Sequence, residues 1–195
     1  MPRFLVAFVR VVERLNYRVG RMAMYLLFVL MGILLWSSVT TAAGSPALWT
    51  LEMAQFTMVA YYILGGPYSM QMGSHVRMDL FYANWSPYRK AVLDAFTVLV
   101  LIFYLAVMVW GAVDSMIYSL GLRWTWVDVS WLPFDLPRPQ TGFMERSPTA
   151  WRPYLWPIKL VLIVGFLLMF LQALAQLIRD IAVIRGATIE EFVRA

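Results

Sequence analysis

The 195 residues include no cysteine and a single histidine. Disulfides, thiolate nucleophiles and Cys-based metal sites are excluded, as is a bis-His haem or a multi-His metal cluster within this one chain. Charge is also scarce. Asp, Glu, Lys and Arg make up 14% of the chain, against about 25% in an average soluble domain. Hydrophobic residues make up 62%, more apolar surface than a soluble domain of this size can bury. The composition therefore gives an integral membrane protein. Of the two charge signs the acidic one is rarer, 11 residues against 16 basic ones, for a net charge of +5. In a soluble protein that excess would point to nucleic acid. Here the cations flank apolar runs and read as orientation signals, with no nucleic-acid partner expected.

Basic residues open the chain. Arg3, Arg10, Arg14, Arg18 and Arg21 recur at spacings that place them on one helical stripe, with Phe4, Phe8, Val11, Leu15 and Val19 on another face. Residues 1–21 thus read as a basic amphipathic helix suited to the headgroup layer of an anionic leaflet, where the arginines would anchor it to phospholipid. A helix continuous with the first span is the alternative. The apolar run behind these arginines exceeds a secretory h-region and lacks a clear cleavage site after it, so Met1 is expected to be retained.

Four long apolar segments follow, expected to be transmembrane helices over residues 22–43, 48–72, 87–118 and 156–178. Gly44-Ser45-Pro46 stops the first. Early in the second come Glu52 and Gln55, and late in it Gly65-Gly66-Pro67, a signature of a kink or of close helix approach. An interfacial or helix-contact role suits Glu52 better than transport coupling. Ser86-Pro87 reads as an N-cap with Pro at the first helical position of the third span. In the fourth, Gln172 and Gln176 share a face at i, i+4 and suit hydrogen bonds to a neighbouring helix. Residues 119–155 form the one long polar loop, and its proline density excludes a further span. Trp124, Trp126, Trp131, Trp151 and Trp156, in the loop and at its end, read either as interfacial anchors or as packing over a partner. The fold class expected is all-α, one membrane domain of four transmembrane helices with an N-terminal amphipathic helix.

Lys and Arg set its orientation. Eleven of the 16 lie in the N-terminal stretch, between spans two and three, and from Arg179 onward; Arg123, Arg138, Arg146, Arg152 and Lys159 lie on the other side. That bias places both termini in the cytoplasm.

The polar connection MQMGSHVRMDLFYANWSPYRKAVL, from Met70 to Leu93, holds what chemistry the chain offers. His75 and Asp79 stand at i, i+4, within reach of a general-base pair if helical, yet no nucleophile stands out beside them and Gly73 favours a loop or helix end. Arg77 and Asp79 at i, i+2 would not face each other on a helix. No catalytic, cofactor-binding or metal site is expected. A transport site of its own is not expected either: the mid-span positions of spans one, three and four are apolar, and no internal repeat is evident. A membrane-embedded enzyme using His75 and a self-associating channel or scaffold are the remaining alternatives.

Three stretches, LWTLEMAQF, GSHVRMDLF followed by SPYRKAVLD, and WPIKLVLIVGFLLMFLQALAQLIRDI, resemble the small membrane subunit (DctQ type) of tripartite ATP-independent periplasmic (TRAP) transporters. The resemblance runs from about Met22 to Ile181. It implies a multi-pass protein of the bacterial inner membrane and a periplasmic substrate-binding protein that delivers a substrate, usually an organic acid. It further implies a large membrane subunit (DctM type) that carries the substrate and sodium sites and moves as an elevator. The small subunit is implied to be a scaffold that widens and anchors the stationary part. Glu52, Gln55, His75, Arg77 and Asp79 are the motif positions, with a structural or interfacial role implied.

Overall fold

The computed structural model describes residues 3–72, 87–125, 136–139 and 142–185. Among them the order is α1 (Arg3–Ala42), α2 (Thr50–Gln71), α3 (Pro87–Ser119), β1 (Leu122–Thr125), β2 (Leu136–Pro139) and α4 (Trp156–Ile184).

Residues 1–21 and 22–43, read as two elements, run from Arg3 to Ala42 as one unbroken helix of 40 residues. At 1.5 Å per residue it is about 60 Å long, twice a hydrocarbon core of roughly 30 Å. Its basic half is not a separate surface helix. It packs along the second half of α4, where Val9, Val12 and Ala175 form a small core with Phe8, Leu171 and Ile178 against it. The face turned inward is Val9, Val12, Asn16, Gly20 and Ala23, whereas Phe4, Val11 and Leu15 of the expected apolar stripe are exposed. Gly44 ends the helix with a positive φ of 76°. Its N–H donates to the Thr41 carbonyl and the Ser45 N–H to the Thr40 carbonyl, both at 3.1 Å. This is the Schellman pattern that needs a left-handed residue after the last turn.

By length and composition α1, α3 and α4 can cross a membrane. α2 is long enough at 22 residues, but Glu52, Gln55, the Gly65-Gly66-Pro67 run and Gln71 make it less apolar. It packs against both α1 and α4, which buries Glu52 but leaves Gln55 exposed. α1 packs with α2 and α3 with α4 as two hairpins, joined through α4 against α2 and α1. Small residues set the spacing. A Cβ on Gly165 of α4 would collide with Ile63 Cγ2 of α2 and come within 3.1 Å of the Ile63 carbonyl oxygen. A Cβ on Gly20 of α1 would strike the Tyr68 side chain. Gly66 sits over Met169, and the helix continues through Pro67, which is buried. Close backbone approach of this kind is how helices associate where the solvent gives no hydrophobic drive.

The body is all-helical as expected, and the loop after α3 adds a short ribbon. β1 and β2 pair antiparallel in the loop after α3, in the register Leu122↔Pro139, Arg123↔Arg138, Trp124↔Pro137 and Thr125↔Leu136. A two-stranded ribbon has a free edge on each strand, which is where prolines such as Pro137 and Pro139 are tolerated. α4, whose residues 156–178 are the expected span, runs as a helix from Trp156 to Ile184.

Candidate functional site

Polar groups tie the helices at both ends of the bundle. At the end carrying the N-terminal half of α1, Asn16 Nδ2 donates to Gln172 Oε1 at 2.7 Å, both residues buried. One turn from Asn16, Glu13 forms an ion pair with Arg179 of α4. Spacing builds this tie: Glu13 and Asn16 are i, i+3 on α1, and Gln172, Gln176 and Asp180 repeat every four residues on α4, so each set lies along one face. Of the two glutamines expected to reach a neighbouring helix, Gln172 does so, while Gln176 Nε2 donates within α4 to Asp180 Oδ1 at 3.2 Å. Asn16 Oδ1 and Gln71 Oε1 are buried with no hydrogen-bond donor among the described residues.

At the opposite end the residues after the ribbon fold back over the helix termini. The Glu145 N–H donates to the Ser119 carbonyl at the end of α3 (3.1 Å), the Leu155 N–H to the Glu145 carbonyl (3.3 Å) and the Ser147 N–H to the Pro153 carbonyl (2.9 Å). Residues 142–155 thus form a clip. Lys159, in the first turn of α4, is its hub: Nζ donates to the Ser115 carbonyl of α3 at 3.1 Å, pairs with the Glu145 carboxylate and lies 5.8 Å from the Tyr118 ring centroid. Burial pulls the Glu145 carboxyl upward, but the hydrogen bond and charge of Lys159 hold it below the usual carboxylate value.

The sequence motif is divided by the fold. Glu52 is 3% exposed and receives the Ser147 hydroxyl at 3.3 Å, so it fastens α2 to the clip; its second oxygen, Oε2, is buried without a donor among the described residues. Gln55, three residues on, is exposed. His75, Arg77 and Asp79 lie outside the described residues. On α1, Arg10, Arg14, Arg18 and Arg21 are exposed, and Arg21 donates to the Tyr17 hydroxyl at 3.3 Å. Arg3 is the first described residue. Among the described residues no three His, Asp or Glu side chains are placed to hold a metal ion.

Sequence reasoning passed over Glu13 and Asn16. Their signal was a polar pair inside the period that also contains Val9, Val12 and Ala23. Glu145 and Ser147 gave no comparable signal, because their partners lie on other elements.

The arrangement spends these polar groups on joining helix to helix and leaves the outside apolar. α3, packed against α4, still exposes Phe96, Leu99, Val100, Phe103, Val107 and Trp110. A comparison with protein-family models matches residues 30–183 to the DctQ component of tripartite ATP-independent periplasmic transporters. No curated protein and no solved structure matches the chain. With a match over more than three-quarters of its length, from the middle of α1 to the last turn of α4, the chain belongs to the DctQ family, the small component of these transporters.

Proposed function

We propose that the chain is the non-catalytic small permease subunit that scaffolds and anchors the large transport subunit (DctM type) during sodium-driven uptake of an organic acid delivered by a periplasmic binding protein. In this reading it lies in the bacterial inner membrane with α1 to α4 spanning and both termini in the cytoplasm. The exposed arginines of α1 meet phospholipid headgroups at the cytoplasmic face. One observation carries the proposal: the interhelical polar contacts hold this chain's own helices together, while α1 and α3 turn long apolar rows outward. A body of this kind suits a stationary wall against which a partner moves.

Purification of a tagged chain from native membranes tests the proposal. The expected result is one-to-one recovery with a large polytopic subunit. Recovery as a lone protein able to transport solute in liposomes would overturn it. His75, Arg77 and Asp79 belong to the same proposal as structural or interfacial positions, and Arg77→Ala or Asp79→Ala is expected to lower complex yield or uptake. Normal assembly and uptake in both variants would remove the motif from it.

A further inference from the structure

Arg152, at the tip of the clip, has a φ of +51°, and among the described residues it is the one non-glycine residue with positive φ. The left-handed region suits Gly, Asn or Asp, and a residue before proline, as Arg152 is before Pro153, is already pressed toward extended backbone. An arginine held there at a conformational cost points to a use for its side chain. Within the chain none is found: Arg152 is exposed and makes no hydrogen bond or ion pair among the described residues. A second guanidinium stands on the other leg of the clip. Arg146, paired in an isolated antiparallel bridge with Tyr154, lies with Cζ 4.4 Å from the Tyr154 ring centroid and donates to its hydroxyl, a neutral partner, and among the described residues no carboxylate pairs with it. The acid of the clip, Glu145, is already taken by Lys159.

We infer that Arg146 and Arg152 form a phospholipid headgroup site at the outer end of the bundle, receiving the phosphodiester. Three observations fix the occupant. The clip lies where the apolar helices end, because Glu145 bonds the last residue of α3 and Lys159 joins the first turn of α4 to the last turn of α3. Exposed apolar rows run up both helices to that level, with Trp110, Val113 and Tyr118 on α3 and Trp156 and Leu160 on α4. Trp151 and Tyr154 are themselves 42% and 40% exposed, amphipathic rings of the kind enriched at the membrane–water boundary. Two guanidinium groups with no carboxylate partner among the described residues, beside such rings and above an apolar wall, match a lipid with a phosphate at one end and acyl chains at the other. This site is separate from the α1 arginines, which lie at the opposite end of the bundle.

The test uses the full chain in nanodiscs containing phosphatidylglycerol with a photoreactive headgroup, read by peptide mapping. Wild type is expected to be labelled within residues 144–156. Arg152→Gly removes the guanidinium while supplying the residue that the backbone prefers, so the fold is retained, and labelling should fall about fivefold. Arg146→Gln together with Arg152→Gly should lower it further. Equal labelling in wild type and the double variant would overturn the inference. So would loss of labelling under millimolar inorganic phosphate, which would make the site one for a free anion. Absence of labelling in wild type, with crosslinks to a co-purified protein instead, would assign the face to a protein partner and overturn it as well.

Discussion

Asn16 and Gln172, 156 positions apart in the chain, share a 2.7 Å hydrogen bond that joins α1 to α4 with both side chains buried. In a membrane interior such a bond contributes modestly, about 0.6 kcal/mol on average, but an orphaned partner costs about 1–3 kcal/mol. Gln172→Leu or Asn16→Leu alone is therefore expected to destabilise the bundle by about 1–3 kcal/mol. The double Leu variant should lose less than the sum of the two. A double-mutant cycle on unfolding in mixed micelles measures the difference, and additive losses would mean that the pair does not couple.

Gly165 offers a sharper steric test, since α4 there approaches the α2 backbone at Ile63. Gly165→Ala places a Cβ against Ile63 Cγ2 and near the Ile63 carbonyl oxygen. Overpacking of this kind costs about 1–3 kcal/mol. Ile63→Ala removes the first clash and leaves the second, so the double variant should recover part of the loss. Gly32, where nothing stands within 4 Å, is the control: Gly32→Ala should be neutral or slightly stabilising, because alanine favours a helix. Thermal unfolding in detergent distinguishes the three.

These two sites also show what the sequence disclosed. Apolar length and the Pro87 signal marked the helices, because in a membrane chain both report directly on local structure. Gln172 was visible as a polar residue on an apolar helix face. Its partner Asn16 was not, because the inward face of α1 is set by where α4 lies. Val11 and Leu15 are as apolar as Val9 and Val12, yet they point outward. When lipid and protein neighbours are equally apolar, hydrophobic periodicity cannot tell the packed face from the exposed one. The partner of Arg179 was hidden for a related reason: its ion pair with Glu13 depends on where α1 lies against α4.

Glu52 and Ser147 define a latch whose opening can be followed directly. The absence of native cysteine makes a single cysteine a clean reporter, and Leu155→Cys places one at a half-buried position of the clip. Ser147→Ala takes the hydroxyl from Glu52 Oε1 and should raise the labelling rate of a water-soluble maleimide at position 155 severalfold. Glu52→Gln keeps an acceptor for Ser147 and should change it little. Equal labelling rates in wild type and Ser147→Ala would show that the backbone bonds hold the clip without the latch.

The ion pair between Glu145 and Lys159 predicts how the clip responds to acid. Because the folded carboxyl titrates below its ordinary value, its contribution to stability is fully present above the unfolded value of about 4.3. That contribution is lost as pH falls through the lower folded value. The clip should therefore be indifferent to pH between about 6 and 8 and loosen only below about 4. Lys159 would then face a neutral acid while still donating to the Ser115 carbonyl, so α3 and α4 should stay joined as the clip frees. Glu145→Gln should be looser at pH 7 and should lose the acid-dependent step. Labelling of the clip cysteine at each pH with a dipyridyl disulfide, which reacts with thiols in acid as well as at neutral pH, reads both effects. An acid step that survives in Glu145→Gln would show that the Glu145–Lys159 pair does not control it.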